Sequence, residues 1–129
     1  MDKKKILVVD DEPELLKALK IRLEASGYDV VTINNGKEAL VMIKKEKPDA
    51  VLMDILMPEM DGLSTLEAIR KKDKDLPVFI ITAFSNPERF KVADKLNASG
   101  FLVKTGDLKM EIDNITSALS ISGKFKKKS

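Results

Sequence analysis

The chain of 129 residues contains no cysteine and no histidine. Without cysteine it forms no disulfide and has no thiolate chemistry. Without histidine it has no imidazole base, no histidine-ligated zinc and no phosphohistidine of its own. Long hydrophobic runs are missing too, and none approaches the ~20 residues that span a bilayer. The first residues, MDKKKILVVDDEP, place lysines before an apolar patch, but the patch is only Ile6–Val9 and ends in acids. It is therefore not expected to be a signal peptide, and cytoplasmic residence is the expectation. Any chemistry must run on carboxylates, hydroxyls, lysine and a hard metal ion.

What is present suits one soluble globular domain with a single core: 43% hydrophobic and 34% charged residues in an unrepetitive sequence. The net charge of +2 conceals lysines gathered at both ends, Lys3, Lys4 and Lys5 and then Lys124, Lys126, Lys127 and Lys128. Such runs read as solvated tails before they read as a nucleic-acid or acidic-partner site. No direct nucleic-acid binding is expected.

Short apolar runs alternate with helix-type segments along the chain. Ile6–Val9 is a continuous apolar run, as in a strand covered on both faces. Leu15, Leu16, Leu19 and Leu23 then fall on one helical stripe from Pro13 to Ala25, ended by Gly27. Ile21 points off that stripe. Tyr28–Ile33 reads as a second strand, and Asn35-Gly36 leads into a helix with Ala39, Leu40 and Ile43 inward, up to Lys47-Pro48. Ala50–Met53 is a third strand, and a helix beginning near Met60-Asp61-Gly62 turns Leu63, Leu66 and Ile69 inward. Pro77–Ile81 is a fourth strand, followed from Pro87 by a helix with Phe90, Ala93 and Leu96 inward. Phe101–Val103 is a fifth strand, and the last helix, from near Asp107 to Ser122, carries Leu108, Ile112, Ile115 and Leu119 inward. Five strand–helix pairs in this order predict an α/β domain: a parallel sheet with right-handed crossovers and helices on both faces.

In such sheets ligands bind beyond the carboxyl ends of the strands. Asp10, Asp11 and Glu12 follow the first strand, Asp54 the third, Thr82 the fourth and Lys104 the fifth. Each has an ordinary explanation when taken singly. An acidic pair before a helix complements its dipole, a threonine after a strand is a turn residue, and a lone lysine is solvated. Their convergence on the ligand edge in complementary types is what ordinary explanations do not cover. Three neighbouring carboxylates require a cation or raised pKa values, and all-oxygen ligation favours Mg²⁺. Asp54 is then a metal ligand, or a nucleophile that attacks a phosphoryl group and holds it as an acyl phosphate. Equatorial phosphoryl oxygens would be neutralised by Mg²⁺, by the Lys104 ammonium, and by the Thr82 hydroxyl with backbone N–H groups.

Other phosphate chemistries fit less well. A flavodoxin-type cradle needs a Ser/Thr/Gly loop after the first strand, where this chain has the repelling DDEP. The P-loop pattern GxxxxGK[ST] is absent. A haloacid-dehalogenase-type phosphatase places DxDx[TV] after its first strand, which Asp10-Asp11-Glu12-Pro13 does not match.

Taken in order, ILVVDDEPELL, AVLMDILMPEMDGL, PVFIITA and GFLVK resemble the receiver domain of two-component response regulators, over about residues 4–121. The resemblance implies a flavodoxin-like doubly wound five-stranded parallel sheet in order 2-1-3-4-5 with five helices. Asp54 is implied as phosphoacceptor from a sensor kinase or phosphotransferase histidine. Asp11, Asp54 and the Leu56 backbone carbonyl are implied as Mg²⁺ ligands, with Asp10 acting mainly through water. Lys104 is implied as the phosphate contact. Thr82 and Phe101 are implied as the switch pair, which alters the face of the fourth helix, fifth strand and fifth helix. Leu56 and Phe84 occupy two positions that tune phosphoryl lifetime in the family. Their bulk is expected to hinder the hydrolytic water and slow self-dephosphorylation.

One departure stands out. The family follows its lysine with a cis proline, whereas Lys104 is followed by Thr105-Gly106. A cis bond before threonine costs about 3–4 kcal/mol, so a trans bond or reshaped loop is expected, with Gly106 absorbing the change. The receiver is expected over residues 1–122 and a basic tail over 123–129, KFKKKS being too short for a helix-turn-helix. Such a chain would act by contact with a protein target, or as the receiver of a longer chain whose output domain lies elsewhere, as monomer or phosphorylation-dependent dimer. Donor recognition is expected around the first helix, with Ile21 as an exposed contact. The competing function is a receiver-like adaptor that binds partners without phosphorylation.

Overall fold

The computed structural model describes residues 4–54, 62–82 and 87–121. Its elements run β1 (Lys5–Val9), α1 (Pro13–Ala25), β2 (Asp29–Ile33), α2 (Gly36–Glu46), β3 (Ala50–Asp54), α3 (Gly62–Lys72), β4 (Val78–Thr82), α4 (Pro87–Lys95), β5 (Gly100–Val103) and α5 (Leu108–Ile121). All strand pairs are parallel, in the order β2-β1-β3-β4-β5. This is the doubly wound, flavodoxin-like sheet the sequence led one to expect.

The unbroken apolar runs have a plain cause. Alternate residues of β1 enter opposite cores. Ile6 and Val8 pack with Leu15, Leu19 and Leu23 of α1 and with Ile112, Ile115 and Leu119 of α5. Leu7 and Val9 pack with Ala39 of α2, Leu66 and Ile69 of α3, and Ala93 of α4. Strand residues alternate sides, so with helices over both faces neither side meets water and no polar alternation survives. Each fully buried leucine or isoleucine contributes roughly 1.5–3 kcal/mol, which fixes the central strands and therefore where their carboxyl ends stand.

Helix ends follow local chemistry. Pro13 opens α1, and Gly27, at φ +99°, leads the chain out of it. Asn35 caps α2, its side-chain oxygen accepting from the Glu38 amide at 3.0 Å. Lys47, at φ 49°, closes α2 in the left-handed conformation just before Pro48. Ile21 is exposed, as expected.

The structure also corrects the sequence reading. Asp54 and Thr82 are the last residues of β3 and β4 rather than the first beyond them. Leu108, expected inward, is 38% exposed, while Glu111 is 7% exposed and takes the inward place in the first turn of α5. Helical side chains lean toward the N-terminus, so Leu108, at the first helical position, projects past the packed part of the helix. Arg70 is buried as well, its Nε donating to the Leu96 carbonyl at 2.7 Å, Nη2 to Asn97 at 2.9 Å and Nη1 to Asp73 at 3.1 Å. It ties the C-terminal ends of α3 and α4 together. Among the described residues no helix is long and apolar enough to cross a membrane. Leu56, Phe84, the side chain of Phe90 and the basic tail lie outside the described residues.

Candidate functional site

Parallel pairing brings the carboxyl ends of all five strands to one edge. Asp10 immediately follows β1, its amide donating to the Ile33 carbonyl of β2 at 3.2 Å. Asp54 ends β3 opposite Ile81 of β4, and Thr82 pairs in register with Val103 of β5. Lys104 is the next residue along, and its amide donates to the Thr82 carbonyl at 2.7 Å. These backbone bonds continue the sheet pattern into the site.

From there the Lys104 side chain crosses β4. Its Nζ lies 2.8 Å from Asp10 Oδ2 and donates to Asp54 Oδ2 at 3.0 Å, with Glu12 Oε1 as a third partner. Lys104 and the two aspartates are nearly inaccessible to water there, while Glu12 is exposed. Burial opposes the lysine charge, but the attraction of Asp10, Glu12 and Asp54 outweighs it and holds the ammonium above the ordinary lysine range. Burial pushes the Asp10 carboxyl up to about 6, against the pull of Lys104 and the Glu12 amide, with repulsion from Asp54 adding to the rise. Asp10 Oδ1 accepts from the Glu12 amide at 2.9 Å.

The carboxylates fit a divalent cation. One oxygen each from Asp10, Asp11 and Asp54 can be chosen so that all lie within 4.8 Å of one another. Asp10 Oδ2 is buried and has no hydrogen-bond partner among the described residues, although the Lys104 ammonium lies 2.8 Å away. A buried acceptor without a hydrogen bond, flanked by two more carboxylates, suits a hard ion that takes oxygen ligands, Mg²⁺ above others. Asp11 is exposed, so the cluster opens to solvent on its side.

Thr82 is fully buried at the end of β4. Phe101 is half-buried, packed against the core beneath α2, α3 and α4. The expected trans bond after Lys104 is present: there is no cis peptide among the described residues, and Gly106 has φ +89°. Two further participants had no assigned role in the sequence, Glu12, placed at this edge only by position, and Glu111. Glu12 reaches Lys104, and Glu111 holds the loop, its Oε2 accepting from the Thr105 amide at 2.8 Å and the Gly106 amide at 2.7 Å. A signal for Glu111 existed. It sits three residues after Leu108 and four before Ile115, on the helical stripe assigned to the core, where a solvated glutamate does not belong.

Comparison with known proteins agrees with this fold. The profile of the family described as "Response regulator receiver domain" matches residues 6–116. The "Probable transcriptional regulator ycf27" of Porphyridium aerugineum is 38% identical over 104 residues, covering 81% of this chain and 43% of that protein. The "Alkaline phosphatase synthesis transcriptional regulatory protein PhoP" of Bacillus subtilis (strain 168) is 37% identical over 101 residues, covering 78% and 42%. The chain thus spans about two fifths of the length of these relatives. Among solved structures, the response regulator protein TrrA of Thermotoga maritima in complex with Mg²⁺-BeF superposes with TM-score 0.74 at 36% identity, over 88% of this chain and 97% of that one. The chemotaxis response regulator CheY4 of Vibrio cholerae superposes with TM-score 0.78 at 28% identity, over 90% and 98%. With the family profile matched over most of its length, this chain belongs to the response regulator receiver domain family.

Proposed function

We propose that this receiver is a phosphorylatable switch in which Asp54 accepts a phosphoryl group from a phosphohistidine of a sensor kinase or phosphotransferase. A carboxylate oxygen of Asp54 bonds to phosphorus as the phosphorus–nitrogen bond breaks, and the electron pair leaves with the imidazole. Lys104 holds a positive charge beside the attacking oxygen and stays close to the phosphoryl oxygens as their charge develops. Asp10, Asp11 and Asp54, with the Leu56 carbonyl, would hold Mg²⁺. The bound ion supplies further neutralisation of the phosphoryl oxygens and of the clustered carboxylates.

The observation that carries this reading is the placement of Lys104 Nζ between Asp10 and Asp54, at 2.8 and 3.0 Å. An adaptor that never meets phosphate has no use for a buried ammonium held against three acids beside an exposed fourth. Phosphorylation would draw Thr82 and Phe101 toward a second arrangement and alter the surface of α4, β5 and α5. That surface would control a downstream protein, or an output domain of a longer chain.

The test is incubation with Mg²⁺ and acetyl phosphate, followed by intact-mass measurement. One added phosphoryl group is expected on the parent chain and none on Asp54→Asn or without the metal. An adduct of equal yield on Asp54→Asn would place the chemistry elsewhere.

A further inference from the structure

Lys104 is anchored from two directions. On one side its own amide donates to β4 at the Thr82 carbonyl, 2.7 Å away. On the other, the next two amides, of Thr105 and Gly106, converge on a single oxygen of Glu111 at 2.8 and 2.7 Å. Threonine at 105 supplies an N–H that proline would lack. Gly106 supplies the positive φ, +89°, that turns its amide onto the same oxygen. The turn is closed from α5 as well. Thr105 Oγ1 accepts from the Asp107 amide at 3.2 Å, Asp107 Oδ1 caps the Met110 amide at 3.1 Å, and the Asp107 carbonyl receives the Glu111 amide at 2.9 Å.

Among the described residues Glu111 has no ion-pair partner. A nearly buried carboxylate is costly unless its charge is met by donors, and here both donors belong to the loop that starts at Lys104. Charge-assisted bonds of this kind are strong and directional. Glu111 also lines a small cavity with Lys104, Ile81 and Ile115, so the two residues border the same space.

We propose that Glu111 is a positioning residue for phosphoryl transfer: its carboxylate fixes the 105–106 turn, and the fixed turn sets Lys104 over Asp54. Proline is thereby replaced at this turn by a carboxylate-and-amide clamp, which holds the chain by hydrogen bonds instead of by a ring. The proposal rests on the reading of Asp54 as phosphoacceptor, and its test separates the two.

Glu111→Ala removes the clamp, and Glu111→Gln keeps an acceptor oxygen without the charge. With acetyl phosphate and Mg²⁺, Glu111→Ala should slow phosphorylation of the folded chain about tenfold, because misplacing a catalytic group by an ångström has effects of that order or larger. Glu111→Gln should recover much of the rate. In a Lys104→Ala background the same change should alter the rate by less than about twofold, since a residue acting through Lys104 has nothing left to position. A second measurement involves no phosphoryl transfer. In metal-free urea unfolding, the coupling between Lys104→Ala and Asp54→Asn should be present in the parent and lost in Glu111→Ala. If the parent takes no phosphoryl group, the Asp54 reading fails and the coupling alone decides Glu111. Coupling that survives Glu111→Ala overturns the proposal, and so does a rate loss that is equally large without Lys104.

Discussion

Lys104 Nζ donates to Asp54 Oδ2 at 3.0 Å across the width of β4, joining residues 50 apart in the chain. The same ammonium lies 2.8 Å from Asp10 Oδ2, so one cation serves two buried carboxylates at the ends of two further strands. Removing one partner of a buried ionic cluster leaves the others uncompensated, with a penalty of about 3 kcal/mol or more. Lys104→Met should therefore lower metal-free stability by about 3 kcal/mol, measured by urea unfolding. With saturating Mg²⁺ the loss should shrink, because a second cation is then available to the same acids. A loss that is the same with and without Mg²⁺ would show that the ion does not share these carboxylates.

Asp10 makes a pH prediction. Its carboxyl is pushed up to about 6 by burial, from an ordinary value of 3.8. Metal binding requires the deprotonated form, so Mg²⁺ affinity should weaken as pH falls through about 6, with up to about one proton released per ion bound. In the metal-free chain, the folded state binds this proton more tightly than the unfolded state between pH 3.8 and about 6. Its contribution therefore favours folding at low pH and is lost as pH rises through that window. Calorimetric titrations with Mg²⁺ from pH 5 to 8 check the first statement, and the pH dependence of urea midpoints checks the second. Asp10→Asn should bind Mg²⁺ more weakly at neutral pH and flatten both profiles.

The strands, their order and the ligand edge were legible because two covered faces leave a signature of unbroken apolar runs, and because acids and lysine stand where those runs stop. What stayed hidden were polar groups whose partners are backbone atoms. Arg70 reads as one of three cations in the last turn of a helix, Arg70-Lys71-Lys72. Nothing local distinguishes it from its solvated neighbours, because the carbonyls it serves at Leu96 and Asn97 are set by tertiary packing. Glu111 differs, since its place on the apolar stripe of α5 marked it as inward, but its partners, the amides of residues 105 and 106, leave no trace in the identity of those residues. Thr105 drew notice only as a missing proline. In the folded chain it is also a donor.

Arg70 separates folding from chemistry. Its three nitrogens each meet a carbonyl at the end of the fold away from Asp54, in a nearly buried setting. Arg70→Met should destabilise by about 2–3 kcal/mol, the combined effect of lost charge-assisted bonds and carbonyls left without donors. Arg70→Lys should recover little, because one ammonium cannot reproduce a planar fork reaching three acceptors. Urea unfolding measures both. Phosphorylation by acetyl phosphate below the transition should stay at the parent rate, and a slowed rate in folded Arg70→Met would connect this end of α3 to the site.

Gly106 and Gly27 form a matched pair. Both have positive φ, +89° and +99°, and a Cβ added at either would meet no atom within 4 Å. Alanine at either position therefore strains the backbone alone, by about 1 kcal/mol, and the two urea midpoints should fall by similar amounts. Only Gly106 lies in the turn that Glu111 clamps behind Lys104. Gly106→Ala should then slow phosphorylation by acetyl phosphate while Gly27→Ala leaves it unchanged. Equal rates at equal loss of stability would mean that backbone strain at 106 stops short of the Lys104 ammonium, and that the side chain finds Asp54 without help from its loop.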